Sequence, residues 1–558
     1  MKVATARPDS FDRNHVAGRY IWLAPLVLFT ITILARLPGL ADLPMHDEFY
    51  TLLAARGWLL EGQPRIADGL YPRAELFTIL TAQAFAALGE SFVVARLPAL
   101  VAGGLLVVLV FIWTRSHAGH LAAWIAALLL ALAPIDGHIS TMARFYTIHG
   151  LLFWLAAIGV FALTDLPMSW LRRAGLALAI GVCLLLALHL QPLTLIGAGG
   201  LALWVAGAAG LPWLRAQRRD PRRFWLLLGG LALGGILGVV VVLQSGIAQE
   251  MLSRYRWTPV HSEGVNDQIW YYHLRLIERY PTLWPIFPFT VLLALASKPR
   301  PTLFCLAVFV PALAVLSFGA MKHTHYLYFL QPFLFVVWGI ALARAWRFLR
   351  RCVLASTDRA LRQVAPALAG WPARALLIAG AVLFLSIANG GPARTLLKPF
   401  GVALGENERA TDWTAASTLL EPSLRSASVI LTANDLHALY YLGDYDFAIN
   451  ASRVSETPSG AEFARDPRTG RPALGTPESL ERILECYPSG LILTDTFSWR
   501  ASRAITDPVA NLIVARTEPI ALPGRLRLMA FSWQRQDPAG PPATADCAAL
   551  PEPSALGD

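Results

Sequence analysis

Long apolar runs alternate with short polar segments through the first two thirds of the chain. A helix that crosses the hydrocarbon core of a bilayer needs about 20 mostly apolar residues, with a range of about 17–25. The pattern therefore predicts a polytopic α-helical membrane protein with about eleven spans. The predicted spans are Tyr20–Leu37, Leu97–Trp113, Leu121–Ile135, Ile148–Leu163, Ala174–Leu190, Leu193–Leu211, Phe224–Leu243, Leu283–Ala296, Leu303–Ala320, Tyr326–Ala343 and Ala375–Ala388.

The distribution of lysine and arginine predicts the orientation of these spans, because cytoplasmic loops carry an excess of both. Residues 1–19 contain four basic side chains and are predicted to be cytoplasmic. Alternation then puts the basic clusters at 215–223 and 344–351 on the same side. The shorter apolar run Ala74–Gly89 would reverse this alternation if it spanned. It is therefore predicted to be a re-entrant or interfacial helix within a first outer loop, residues 38–96.

The composition becomes that of a soluble protein after a membrane domain of residues 20–390, and the odd number of spans places this part outside. Residues 391–536 are predicted to form a small extracytoplasmic α/β domain. Its predicted strands are Ser428–Thr432 and Leu491–Asp495, and its predicted helices are Thr411–Leu420, Pro477–Cys486 and Ser502–Leu512. Residues 537–558 are rich in proline and alanine and are predicted to be disordered.

Composition supports the interpretation as a membrane protein and argues against nucleic-acid binding. Hydrophobic residues make up 55% of the 558 positions, charged residues only 15%, and the mean hydropathy is +0.50. A net charge of +10 can indicate nucleic-acid binding. Here the basic residues fall in short clusters between apolar runs, so no nucleic-acid partner is predicted. The five cysteines show no metal-ligand spacing, and Cys486 and Cys547 either pair outside the cell or remain free thiols.

Candidate chemistry begins directly after the first span, where Asp47 and Glu48 are adjacent. Carboxylates at a membrane boundary are costly and often functional. An aspartate here can accept the proton of an attacking hydroxyl, and the alternative is an ordinary solvated loop. Arg73, in the same loop, is either a bidentate phosphate ligand or a lipid-headgroup contact.

Further polar residues fall on the same predicted face. Arg144 is a candidate phosphate site, with snorkelling toward headgroups as its alternative. His189 ends another span, where a structural hydrogen bond is its simpler role. Lys322 and His325 begin a late span and can meet a phosphate, whereas His323 and His325 do not share a helix face, which disfavours a metal pair. The residues alone predict no metal site, and together they describe a cavity that opens outside and is covered by the α/β domain.

The sequence resembles the C-type membrane glycosyltransferases over about residues 20–390. The loop with Asp47 and Glu48 is similar to their acidic motif. The stretch from Gly89 to Leu100 resembles the branch that contains protein O-mannosyltransferases and aminoarabinose–lipid A transferases. Two shorter segments are similar as well: Ala143-Arg144-Phe145-Tyr146, and His325-Tyr326 before Gln331-Pro332.

The resemblance implies transfer of a sugar from a polyprenyl-phosphate donor to a lipid, glycan or protein acceptor on the outer face of a cell inner membrane. Asp47 would be the general base, and Glu48 would support it or help to hold a divalent metal in members that use one. The implied substrate-binding residues are Arg73, Glu75, Arg144, His189, Lys322, His325 and Tyr326. No cofactor follows with certainty from the resemblance.

This chain departs from the family where relatives carry a basic residue before two prolines, because it reads Tyr71-Pro72-Arg73-Ala74-Glu75. That departure leaves Glu75 open as a second catalytic carboxylate in place of a phosphate-binding role for Arg73. Two other functions stay open: a transporter or flippase for a lipid-linked sugar, and a non-catalytic assembly protein of the cell envelope. Transporters often show internal inverted repeats and broken helices at the membrane midplane, and neither is visible here. The polar residues gather at one face and not at the centre, which favours interfacial chemistry.

Overall fold

The computed structural model describes residues 23–210, 268–319, 322–364, 411–455, 462–502 and 504–535, with a few isolated positions such as Cys547. In these ranges, six helices are long and apolar enough to cross a membrane. The chain is a multi-pass membrane protein with a sheet-containing C-terminal domain. The predicted cytoplasmic segment 1–19, most of the outer loop that the sequence predicts at 244–282, and nearly all of the tail 537–558 lie outside the described residues.

Thirteen helices precede the C-terminal domain in the described ranges. They are α1 (Leu23–Arg36), α2 (His46–Glu61), α3 (Glu75–Leu88), α4 (Phe92–Ala118), α5 (His120–Ala131), α6 (Pro134–Ser140), α7 (Tyr146–Asp165), α8 (Trp170–Leu190), α9 (Thr194–Val205), α10 (Tyr271–Arg279), α11 (Phe287–Leu295), α12 (Pro299–Phe318) and α13 (Gln331–Val364). A 3-10 turn, Thr324–Leu330, leads into α13.

The predicted number of about eleven spans is not confirmed. Helix α5 has 12 residues where the sequence predicts a longer span, because Pro134 begins the separate helix α6. Helix α11 has only nine residues. The spans predicted at Phe224–Leu243 and Ala375–Ala388 lie outside the described residues. Helix α3, predicted as re-entrant or interfacial, has 14 residues and is shorter than a typical span.

Close approach of small residues holds the centre of the bundle together. Helix α13 packs against α5, and a Cβ at Gly339 would lie 2.6 Å from the carbonyl oxygen of Ala122. Lipid tails are as apolar as leucine, so helices in a membrane gain stability from such close packing rather than from burial alone. Trp154 and Trp338 are fully buried in the same apolar core.

The segment between α1 and α4, which we call the first loop, is folded and largely buried. It contains α2, a two-stranded antiparallel ribbon of β1 (Arg65–Ile66) and β2 (Gly69–Leu70), and α3. Ser91 caps α4 by accepting a hydrogen bond from the Val94 N–H at 3.2 Å. Helix α2 lies between the helix bundle and the C-terminal domain, and it carries the two adjacent acidic residues in its first turn.

The C-terminal domain is built on a seven-stranded mixed sheet with strand order β5-β6-β4-β3-β7-β9-β8. The strands are β3 (Ile430–Thr432), β4 (Phe447–Ile449), β5 (Phe463–Arg465), β6 (Pro472–Leu474), β7 (Ser489–Asp495), β8 (Glu518–Ile520) and β9 (Leu528–Gln534). The helices are α14 (Trp413–Ser426), α15 (Asp435–Tyr441), α16 (Ala451–Ser455), α17 (Pro477–Cys486) and α18 (Asp507–Arg516). Pairing is parallel from β6 through β4 and β3 to β7, and antiparallel at both edges.

Alternation along β7 sends side chains to two apolar layers. Leu491 and Leu493 pack on the α14 side, whereas Ile492 packs on the side of α17 and α18. Both strands predicted from the sequence are present, and the helix predicted at Pro477–Cys486 has those bounds. Cys486 and Cys547 form a disulfide, so the tail returns to α17.

Candidate active site

Asp47 lies in the first turn of α2 and faces the turn between α6 and α7. Its Oδ2 is 3.6 Å from Nη2 of Arg144, and 51% of its side-chain surface is exposed. The Arg144 side chain is only 2% exposed. Its Nη1 donates to the backbone carbonyl of Asp47 at 2.9 Å and to the hydroxyl of Tyr71 at 3.2 Å. An accessible carboxylate therefore sits against a buried and firmly held guanidinium.

The charges around Asp47 keep it ionised. Partial desolvation raises the pKa of this carboxyl, but the charges of Arg144, His46, Arg73 and His325 outweigh that effect, and the net pKa is lowered. A lowered pKa means that the carboxylate is a ready but weak base at neutral pH. Such a group suits a step in which the proton is accepted late, once the leaving group has begun to depart.

Arg144 has one donor with no partner among the described residues. Its Nε is buried and makes no hydrogen bond there, although Nη1 and Nη2 are engaged. An unsatisfied buried donor costs roughly 1–3 kcal/mol, so it is uncommon without a reason. The guanidinium carbon also lies 5.2 Å from the ring centre of Phe145, within the range of a cation–π contact. The Nε is thus an uncommitted donor on the arginine that faces Asp47.

Glu48 is engaged in a different way from Asp47. It is 1% exposed and forms a bidentate pair with Arg96, with both N–O distances at 2.8 Å. Glu48 also accepts hydrogen bonds from the backbone N–H groups of Ala143 at 2.8 Å and Met45 at 3.0 Å. Arg96 in turn donates to two backbone carbonyls before α2, at 2.7 and 2.8 Å. Glu48 therefore joins α2, α4 and the turn before α7.

The donor set does not fit the divalent metal that the resemblance allows. Both oxygens of Glu48 are engaged by Arg96 and by backbone N–H groups, and Asp47 faces positive charges. No cluster of three or more histidine, cysteine, aspartate or glutamate side chains suited to a metal occurs in the described part of the chain.

Arg73 lies beside this carboxylate as an exposed cation. Its guanidinium carbon is 5.6 Å from the ring centre of Phe145, the ring that Arg144 also contacts. Its charge contributes to the lowered pKa of Asp47. Arg73 makes no ion pair with another described residue. Glu75 begins α3 and is partly buried, without a hydrogen bond or ion pair to another described side chain.

The late predicted residues divide into two groups. His325 packs against Tyr146 with ring centres 4.5 Å apart, next to Arg144, and Tyr326 packs against His325 at 4.6 Å. Lys322 is buried, and its ammonium donates to the carbonyl of Gly319 at 2.6 Å.

The last predicted residue, His189, is exposed at the end of α8. It makes no hydrogen bond or ring contact with the described residues. The structure thus brings Asp47, Arg73, Arg144, His325 and Tyr326 together, and it leaves His189 outside this group.

Comparison with known proteins gives the fold. ArnT from Cupriavidus metallidurans, solved bound to undecaprenyl phosphate, matches with a TM-score of 0.58 and 16% identity over 94% of this chain and 100% of that chain. The archaeal oligosaccharyltransferase AglB from Archaeoglobus fulgidus, in complex with an inhibitory peptide and a dolichol-phosphate, matches with a TM-score of 0.55 and 13% identity, covering 86% of this chain and 70% of that chain. The chain has the fold of the C-type membrane glycosyltransferases. No protein-family model and no curated protein sequence matches it.

The C-type fold confirms the sequence resemblance, although identities this low carry the fold and not the activity. Three residues of the site were not singled out from the sequence. Arg96 lies within the stretch used for the resemblance, yet its pairing with Glu48 gives no local signal. Tyr71 and Tyr50 look like ordinary loop aromatics until their rings are seen to stack at 4.9 Å.

Proposed function

We propose that this protein transfers a sugar from a polyprenyl-phosphate donor to a lipid, glycan or protein acceptor on the outer face of a cell inner membrane. The observation that carries the proposal is the accessible Asp47 carboxylate, 3.6 Å from a buried arginine that keeps an unpartnered Nε. The C-type fold supports this reaction class. Solved proteins of that fold hold undecaprenyl phosphate in one case and a dolichol-phosphate in another.

In this proposal Asp47 is the general base. The acceptor hydroxyl oxygen bonds to the anomeric carbon of the sugar while the bond from that carbon to the phosphate oxygen breaks. The electron pair of the broken bond stays on the phosphate, and the hydroxyl proton passes to Asp47. Because the pKa of Asp47 is lowered by nearby cations, we expect this proton transfer to be late.

Arg144 and Arg73 stabilise the negative charge that develops on the departing phosphate. Arg144 offers its buried Nε, and Arg73 offers a guanidinium without an ion pair in the described chain. Donors that are already oriented toward developing charge stabilise a transition state without reorganisation. We assign Glu48 a positioning role through Arg96 in place of a direct one. Lys322, His189, His325, Tyr326 and Glu75 stay predicted substrate-binding residues.

The test is sugar transfer by purified membranes that contain the wild type, Asp47→Asn or Glu61→Gln. Glu61 is a matched control because it lies on the same helix in an exposed pair with Arg65, and such pairs contribute little to stability. Radiolabelled polyprenyl-phosphate sugars are supplied with a membrane extract as acceptor, and the loss of label from the lipid is followed. We expect Asp47→Asn to lower the rate about 10²- to 10⁴-fold and Glu61→Gln to leave it unchanged.

Equal transfer by the wild type and by folded Asp47→Asn would remove Asp47 from the chemistry. Absence of transfer by the wild type with every donor would reject the glycosyltransferase proposal and favour a flippase or an assembly protein. Movement of intact donor across sealed vesicles separates those two alternatives.

A further inference from the structure

The turn between β5 and β6 joins the C-terminal domain to the first loop. The carbonyl of Thr469 accepts a hydrogen bond from the backbone N–H of Asp68 at 2.9 Å, and Arg471 forms an ion pair with Asp68 at 3.3 Å. Gly69 lies so close that a Cβ there would be 2.3 Å from the carbonyl oxygen of Arg468. The turn is therefore seated in one position against the β1–β2 ribbon.

Arg468 extends from this turn to Tyr50 on α2. Its Nη1 donates a hydrogen bond to the Tyr50 hydroxyl, and its guanidinium carbon lies 5.0 Å from the centre of that ring. The backbone N–H of Arg468 donates to the Asp466 carboxylate at 2.7 Å, which holds the residue within the turn. Arg468 is exposed as a whole, so its side chain is not needed to fill the core.

Tyr50 connects this arginine with the candidate active site. Its ring stacks on Tyr71 with centres 4.9 Å apart and planes inclined by 10°. The hydroxyl of Tyr71 accepts a hydrogen bond from Nη1 of Arg144 at 3.2 Å, and the same atom donates to the Asp47 backbone. A continuous series of contacts thus runs from the C-terminal domain to the arginine that faces Asp47.

We propose that Arg468 is a positioning residue for sugar transfer and that the C-terminal domain completes the site through it. Arg468 holds Tyr50, Tyr50 holds Tyr71 by stacking, and Tyr71 sets the orientation of Arg144. The proposal rests on the proposed function. A displacement of about 1 Å can lower an enzymatic rate about 100-fold, so a loosened Tyr71 is expected to affect the chemical step more than donor binding.

The test compares kcat and the KM for the polyprenyl-phosphate sugar in full-length protein in detergent. We expect Arg468→Met to lower kcat about 10-fold with the KM changed less than about twofold, since the loss is one of orientation. Arg468→Lys should recover part of kcat because it keeps a cationic donor. The matched control is Arg465→Met, an exposed arginine on β5 of the same hairpin whose loss should change neither constant.

A second variant tests the route. Tyr50→Phe removes the hydroxyl that Arg468 contacts but keeps the ring that the guanidinium faces, so it should lower kcat by no more than Arg468→Met does. The double variant should lose no more than Arg468→Met alone, because that variant already removes every contact of the side chain with Tyr50. Additive losses would overturn the route through Tyr50, and full kcat in Arg468→Met would overturn the inference while leaving the proposed function intact. A wild type that transfers no sugar would overturn both.

Discussion

Two regions at the start of α2 contain the same kinds of side chain and differ in how completely these are paired. The closed region is Glu48 with Arg96, where every oxygen and nitrogen of both side chains meets a described partner. The open region is Asp47, Arg144 and Arg73, with a half-exposed carboxylate, an unpartnered Nε and a guanidinium without an ion pair in the described chain.

This difference in pairing suggests different roles for two neighbouring residues: Glu48 holds the fold together, and Asp47 is available for the reaction. Buried polar groups are nearly always satisfied in folded proteins, and the closed region obeys this rule. Its network joins segments that are 48 and 95 residues apart along the chain. The open region departs from this rule because the buried Nε of Arg144 has no hydrogen-bond partner among the described residues. We expect a bound substrate to supply that partner, since the neighbouring Asp47 carboxylate is half exposed.

The largest expected effect on folding is in the closed region. Arg96→Met leaves Glu48 buried without its counter-charge, which costs about 3–5 kcal/mol. We expect a strongly reduced yield of monodisperse protein and a lower apparent Tm in detergent. Asp47→Asn should leave both quantities close to those of the wild type, because its carboxylate is half exposed.

A compensating variant controls for the loss of the arginine itself. Glu48→Gln combined with Arg96→Met removes both charges but keeps an acceptor for the Ala143 N–H, so yield and Tm should recover in part. If Arg96→Met instead folds normally and loses sugar transfer, the closed region takes part in the chemistry and the distinction between the two regions fails.

A smaller effect is expected from Arg73 in the open region. Arg73→Gln removes a charge that we assign to the donor phosphate, and a charge-assisted hydrogen bond at a partly exposed site is worth about 1.5 kcal/mol. The kcat/KM for the polyprenyl-phosphate sugar should therefore fall about 10-fold. Arg56→Gln is the matched control, because Arg56 in the same loop is already paired with Glu90 at 2.6 Å. Equal values of kcat/KM for the two variants would remove Arg73 from the donor site.

The sequence singled out all three residues of the open region but only Glu48 of the closed one. Asp47, Arg73 and Arg144 were each recognisable as charges beside an apolar run, where desolvation makes a charge conspicuous. The Glu48–Arg96 pair could not be predicted, because it depends on how α2 packs against α4. The contact between Arg468 and Tyr50 is harder still, since the two residues lie 418 positions apart.

The fold shows a similar limit. The apolar runs identified the long helices, and strands β3 and β7 followed from short buried segments. The number of spans predicted from hydropathy is not confirmed, because two of the apolar helices are short. Pro134 begins a separate helix after α5, and a proline lies in the first turn of α11. The disulfide between Cys486 and Cys547 was one of two open alternatives, and only the path of the chain decides it.

The smallest expected effect concerns the pH dependence of the open region. The pKa of Asp47 is held below its ordinary value by Arg144, His46, Arg73 and His325. A carboxylate must be ionised to act as a base, so protonation of Asp47 should not lower kcat/KM until the pH falls below the ordinary aspartate range, about 3.9. Arg73→Gln removes one of the four side chains that lower the pKa of Asp47, so this pKa should rise. The loss of activity on acidification should then occur at a higher pH than in the wild type.

Initial rates measured at a series of pH values give the pH at which activity is lost. Enzyme from each acidic sample is then returned to neutral pH, and recovery of its rate shows that the protein stayed folded. Added salt should move the wild-type profile toward that of Arg73→Gln, because Arg73 is exposed and its charge is screened, whereas the buried Arg144 is screened much less. A profile that is unchanged in Arg73→Gln, or that moves to lower pH, would mean that Asp47 does not titrate in the rate and that another group is the base. That result would not affect the structural role of the Glu48–Arg96 pair, but it would remove Asp47 as the general base of the open region.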